Sequence, residues 1–168
     1  MLDSPQPVLP EWKERIDAVL PLYGHRNWIV VADSAYPAQS NPGIETIVAG
    51  GDQMAVLEHV LAAVGQCKHI RVNVYADKEL AYVAESDAPG VLNYCRGLES
   101  VLKEANVNYL PHEQIIHKLD QSAQLFRILL IKTDMSIPYT SIFFELECGY
   151  WNAEAEQRLR KALAAASE

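Results

Sequence analysis

Residues 23–40 read YGHRNWIVVADSAYPAQS. Inside this stretch, residues 27–33 (NWIVVAD) form a short apolar run rich in β-branched side chains and closed by polar residues at both ends. A run of that length without polar alternation is the pattern of a strand covered on both faces, which implies a sheet with helices above and below it. Asp33 opens the exit turn SAYP, and His25 follows a glycine just ahead of the strand.

The flanking segments fit the same layered plan. On the N-terminal side, residues 10–20 (PEWKERIDAVL) place Trp12, Ile16, Val19 and Leu20 on one helical face, with Pro10 suited to the first turn and Pro21 ending the run. On the C-terminal side, residues 41–51 (NPGIETIVAGG) read as a turn, a brief strand and a glycine break. A helix follows over 52–65, with Leu57, Val60, Leu61 and Val64 recurring at helical spacing and Gly65 as its stop. HIRVNVYA (69–76) alternates apolar and polar residues, predicting a strand with one more polar face. A helix is expected within 88–105, its buried stripe made by Val91, Cys95, Leu98, Val101 and Leu102. VNYLP (107–111) reads as a strand, 112–124 as a helix, 126–132 and 141–147 as strands, and 153–166 as an alanine-rich helix appended at the C-terminus. Strands alternating with helices of this length define the α/β class. We therefore expect a single domain over 1–168, a sheet with helices packed on its faces and an extra C-terminal helix. In such sheets ligands bind where loops leave strand ends, which directs attention to 33–40, the loop around His112, and MSIPYTS at 135–141.

Composition narrows the function classes. With 168 residues, 49% hydrophobic and 21% charged, the chain has material for one ordinary core, and its net charge of -8 speaks against a nucleic-acid or anionic-membrane surface. Three widely spaced cysteines, Cys67, Cys95 and Cys148, form no CxxC pair and read as buried thiols of a reducing compartment. The N-terminus lacks a basic region followed by an apolar run, so a cytoplasmic protein is expected.

Several residues invite chemistry, each beside a plainer reading. His25 is a proton-transfer candidate or a capping residue. Asp33 is a ligand or simply the residue that binds its own turn. At about 3.3 Å per extended residue the two lie ~20 Å apart within one chain, so they serve different sites or meet across a subunit interface. HEQIIH (112–117) fails the zinc-helix pattern, because histidines five apart point about 140° away from each other on a helix; it reads equally as a helix start after Pro111. Tyr139 in IPYTS either faces a ligand or fills the core. GxGxxG, GxxxxGK[ST] and GxSxG patterns are absent from the sequence.

Together YGHRNWIVVADSAYPAQS, GIETIVAGGDQMAVLEHVL, PHEQI and IPYTSI resemble, in order, the ribose pyranase and fucose mutarotase family of small bacterial sugar mutarotases. The resemblance implies that His25 matches the catalytic histidine, and that Asp33, His112 and the segment Tyr139, Thr140, Ser141 match sugar-binding positions. It also implies a monosaccharide substrate, no metal or cofactor, and homo-oligomers with sites between subunits. Three features depart from the family pattern. Tyr139-Thr140-Ser141 stands where the family has Tyr-x-Asn, KTDMSIPY lacks the glycine of the family's turn, and the chain continues beyond the last strand. Two further readings stay open: a non-catalytic sugar- or polyol-binding protein of the same fold, and an oligomerisation module with a vestigial pocket.

Overall fold

Trp28–Ala32 forms strand β1, and all five of its side chains are buried, as a strand between two helical layers requires. The computed structural model describes residues 11–167; Pro10, expected in the first helical turn, lies outside them. The other elements are α1 (Glu11–Val19), β2 (Ile44–Val48), α2 (Gln53–Gly65), β3 (Ile70–Asp77), α3 (Val91–Val101), β4 (Val107–Leu110), α4 (His112–Ala123), β5 (Ile128–Lys132), β6 (Ile142–Cys148) and α5 (Ala153–Ala165). Among the described residues the strands make one mixed sheet in the order β2-β5-β1-β6-β3-β4. The domain is α/β, as its sequence pattern predicts.

β1 pairs in parallel with β5, and β5 with β2; β3 pairs in parallel with β4. β6 runs antiparallel to both β1 and β3, seated between them. Every strand except β6 therefore points the same way. The exits of β1, β2, β3, β4 and β5 gather at one end of the sheet together with the entry to β6, while the residues leading into β1 lie at the other end.

Side-chain alternation distributes the core over two faces. Ile29, Val31, Leu129, Ile131 and Phe144 pack with Ile16 of α1, Leu57 and Val60 of α2, and Leu98 of α3. Trp28, Val30, Leu130 and Phe143 pack with Ile115 and Leu119 of α4 on the opposite face. Each such aliphatic side chain contributes roughly 1.5–3 kcal/mol by leaving water. The Trp28 indole N–H is satisfied by Ser122 Oγ at 3.1 Å. Beyond the reach of α4 that face is polar: Tyr75 donates to Glu145 at 2.9 Å and Asn73 to Glu147 at 2.6 Å.

Four local differences from the expected pattern stand out. The strand at 70 continues to Asp77, and its last four residues are all buried, so its alternation is confined to the first half. A short 3-10 helix over Lys78–Tyr82 follows it. The buried stripe of α3 is Val91, Tyr94 and Leu98, continued by Leu102, with Cys95 and Val101 only half-buried, because the helix turns the Tyr94 hydroxyl toward a polar partner near the sheet end. Cys67, Cys95 and Cys148 are free thiols and half-buried rather than fully enclosed. The C-terminal helix forms where expected but buries none of its residues. No helix among the described residues is long and apolar enough to cross a membrane.

The close of β6 depends on a glycine. A Cβ on Gly149 would stand 2.7 Å from Lys68 O, 2.8 Å from Ile70 N and 2.9 Å from Ile70 O, all backbone atoms of the neighbouring strand entry. Gly149→Ala is expected to destabilise the fold by about 1–3 kcal/mol, the cost of overpacking against atoms that cannot swing aside, seen as a lower urea midpoint at unchanged slope.

Candidate functional site

Two strands leave the sheet on an aspartate, and β6 begins between them. Val31 and Ala76 both pair with Ile142, which brings Asp77 at the end of β3 level with Ser141, the residue that precedes β6, and leaves Asp33 one residue beyond that level on the other side. Ser141 is 2% exposed and locks Asp33 from both sides: its hydroxyl donates to Asp33 Oδ2 at 2.9 Å and accepts from the Asp33 N–H at 3.2 Å. The other Asp33 oxygen accepts from the Ala35 N–H at 3.0 Å, the self-capped turn expected of an aspartate at a strand exit. Both carboxylate oxygens keep further lone pairs for a ligand.

His112 enters from the first residue of α4, directly after β4. Its backbone N–H is held by Glu79 at 3.0 and 3.1 Å, so a carboxylate from the 3-10 helix caps α4. Its Nδ1 lies 3.1 and 3.0 Å from the two oxygens of Asp77, which is 1% exposed. An ionised carboxylate only accepts, so the ring proton sits on Nδ1 and Nε2 is left as the basic nitrogen. Burial pushes the Asp77 carboxyl up to about 6, although the charge and hydrogen bond of His112 draw it down.

Tyr139 completes the group. Its ring meets the His112 ring edge-on, with centroids 5.9 Å apart and planes at 78°. The backbone there is left-handed, φ 59°, and the only other non-glycine residue with positive φ among the described residues is Arg26, φ 77°. Such conformations cost on the order of 1–3 kcal/mol each and persist only where the surroundings impose them. At Tyr139 the surroundings are a buried polar hub. Gln53 Nε2 donates to Thr140 O at 2.5 Å and to the Tyr94 hydroxyl at 2.8 Å; Tyr94 donates to Thr140 O at 2.9 Å; Thr133 Oγ1 donates to Gln53 Oε1 at 3.0 Å. Thr140 itself is fully buried, and its hydroxyl donates to Ile137 O at 2.7 Å, so its side chain serves the turn.

A cleft of about 510 Å³ opens over these residues, lined by Asp33, Tyr36, Asp77, His112, Asp120 and Tyr139 among others. Tyr36 stays a neutral phenol, pushed up by burial and then by Asp120, Asp77 and Asp33. A cleft with several acceptors, one directed histidine and aromatic rings suits a polyhydroxylated, uncharged molecule: carboxylates accept its hydroxyl protons and rings cover its C–H faces.

The structure thus brings together Asp33, His112, Tyr139 and, behind them, Thr140 and Ser141. His25 is elsewhere. It precedes β1, at the opposite end of the sheet, where it lines one shallow hollow with Trp28 and Lys118 and another with Trp151, Glu156 and Arg160. Sequence reasoning missed Asp77, Gln53, Tyr94 and Thr133. A signal existed for Asp77, since VVAD at 30–33 and VYAD at 74–77 are parallel strand exits of the same form. Gln53 carried none: it follows an ordinary helix cap, Asp52, and its partners lie 41, 80 and 87 residues away.

Comparison with known proteins bears on this geometry. The profile of the RbsD / FucU transport protein family matches residues 12–149. RbsD of Bacillus subtilis, solved with D-ribose, is 22% identical and superposes with a TM-score of 0.53 over 82% of this chain and 93% of its own. A fucose mutarotase of Streptococcus pneumoniae, solved with L-fucose, is 18% identical, with a TM-score of 0.50 over 90% of this chain and all of its own, 100%. FucU of Bifidobacterium longum is 15% identical, with a TM-score of 0.54 over 83% and 96%. These structures share the fold. No curated protein matches.

The hub yields a stability prediction. Gln53→Leu removes one of the two donors to Thr140 O and leaves buried polar groups short of a partner, which typically costs about 1–3 kcal/mol. Equilibrium denaturation should register that loss, and amide exchange should quicken first in residues 137–141.

Proposed function

The chain belongs to the RbsD / FucU transport protein family, and from that footing we propose that it is a cofactor-free sugar mutarotase acting on a free monosaccharide in the cytoplasm. The observation that carries the reading is the convergence of Asp33, the Asp77–His112 pair and Tyr139 on one cleft at the strand exits. The ribose and fucose complexes among the structural neighbours supply the substrate class.

Ring opening needs one proton to leave the anomeric hydroxyl while another reaches the ring oxygen. The bond between C1 and the ring oxygen breaks, a free aldehyde forms, C1–C2 rotates, and the ring recloses on the other face. His112 is built for one of these transfers: with Nδ1–H bound to Asp77, its Nε2 accepts a proton, and Asp77 stabilises the imidazolium that results. The second transfer falls to His25 of a second copy, since one chain separates His25 from the cleft by the length of β1. Asp33 binds sugar hydroxyls, Tyr139 covers a sugar face, and Thr140 and Ser141 hold both in place. The assembly is a homo-oligomer in which the cleft of one copy receives the β1 entry of another.

A second reading has its own observation. The Ser141 hydroxyl is buried and spent on Asp33, so the contact expected of an asparagine side chain at this place is missing. A protein that binds a sugar or polyol without turning it over fits that loss.

Saturation-transfer NMR of anomeric exchange separates them. With ribose, fucose and a panel of other aldoses and ketoses, wild type should accelerate exchange for at least one sugar, and His25→Ala should lose about 10²-fold or more. Saturable binding without acceleration of any sugar would establish the second reading.

The pH profile tests the histidine pair. Because burial holds Asp77 at about 6, its carboxylate is present above that pH and protonated below it. Exchange should decline as pH drops through about 6, when the acceptor that keeps the His112 proton on Nδ1 is lost. In Asp77→Asn the rate at neutral pH should drop about 10²-fold or more, with little change in KM, and the acid limb should shift.

A further inference from the structure

The turn that carries His25 has an arginine where geometry favours glycine. Asn27 N–H donates to Gly24 O at 3.1 Å, closing a four-residue turn with His25 and Arg26 in its middle. Gly24 N–H donates to Asn27 Oδ1 at 2.8 Å, Asn27 Nδ2 to Arg127 O at 3.0 Å, and Arg26 N–H to Leu146 O at 2.9 Å, so the backbone is tied from both sides. A positive φ at the third position of such a turn suits glycine or asparagine, yet Arg26 holds it at 77°. Its side chain is exposed and makes no salt bridge among the described residues; the guanidinium lies 5.6 Å over the Phe126 ring with its N–H groups unspent.

The cleft at the opposite end of the sheet has the complementary surplus. Asp33, Asp77, Glu113 and Asp120 line it with no lysine or arginine among the lining residues, and the one imidazole present is committed to Asp77. Glu113 and Asp120 make no salt bridge or side-chain hydrogen bond among the described residues. A neutral sugar leaves that charge unbalanced. We infer that Arg26 seats the His25 turn in the cleft of a second copy by pairing its guanidinium with Glu113 and Asp120 there. The inference rests on the proposed sharing of one site between two copies, and it identifies Arg26 as a positioning residue. The strained backbone then has a reason: it aims a cation outward beside the histidine, and charge complementarity fixes orientation at an interface.

Sedimentation velocity and native mass spectrometry across a dilution series provide the test, with circular dichroism as the check on folding. Arg26→Gly suits the backbone, so it should fold normally while its assembly dissociates at tenfold or higher protein concentration than wild type. Glu113→Lys with Asp120→Lys should weaken assembly to a similar extent. Combining both with Arg26→Glu should restore it, because the pair is reversed across the interface and the two ends do not meet within a chain. Rising salt should loosen wild type and leave Arg26→Gly nearly unmoved. The inference is overturned if Arg26→Gly assembles as tightly as wild type, if the reversed pair fails to restore assembly, or if wild type is monomeric throughout. These readouts need no turnover, so absence of sugar exchange in wild type would sink the mutarotase reading and leave the Arg26 result to be judged by itself.

Discussion

The architecture turns on one strand. β6 lies antiparallel between β1 and β3 while the remaining strands share a direction, so its first residues come up through the middle of the end where the other strands finish. Had β6 run parallel, the segment 137–141 would open at the opposite end, among His25 and Arg127. The antiparallel pairing puts Ser141 between Asp33 and Asp77 and delivers Tyr139 to the His112 ring. A candidate site assembled from four separate chain segments is thus a consequence of strand direction, at the sheet end where α/β folds tend to bind ligands.

Holding those segments to hydrogen-bond accuracy needs more than the sheet. Gln53, at the first turn of α2, reaches the carbonyl of Thr140, the hydroxyl of Tyr94 and the hydroxyl of Thr133 in a nearly water-free interior. In low dielectric such bonds are strong and an unmet partner is costly, so a satisfied network fixes one arrangement. The left-handed backbone at Tyr139 is the visible result: the hub immobilises the residue after it, and the tyrosine accepts a strained conformation that exposes its ring to the cleft.

The two ends of the sheet differ in character. One is concave and acidic, with a buried carboxylate, Asp77, holding the His112 imidazole. The other presents a tight turn with a histidine and a strained arginine, followed by α5, whose side chains remain in water. The family profile ends at residue 149, ahead of that helix. A chain whose acidic cleft and cationic turn lie at opposite ends of the sheet cannot join them internally.

From sequence alone, the element order, the α/β class and the placement of Asp33, His112 and Tyr139 at strand exits were legible, because hydrophobic period and turn chemistry are local properties. NWIVVAD announces its two covered faces, and Pro111 before HEQ announces a helix start. Strand order, the reversal of β6 and the hub around Gln53 were not, since each depends on which surfaces meet, and partners 41 to 87 residues apart leave no periodic trace. Asp77 falls between: the VYAD exit repeats the VVAD exit, but only pairing through β6 shows that the two aspartates flank one serine. The setting of His112 likewise waited for tertiary structure, because only the fold brings a buried carboxylate from a distant strand to its Nδ1.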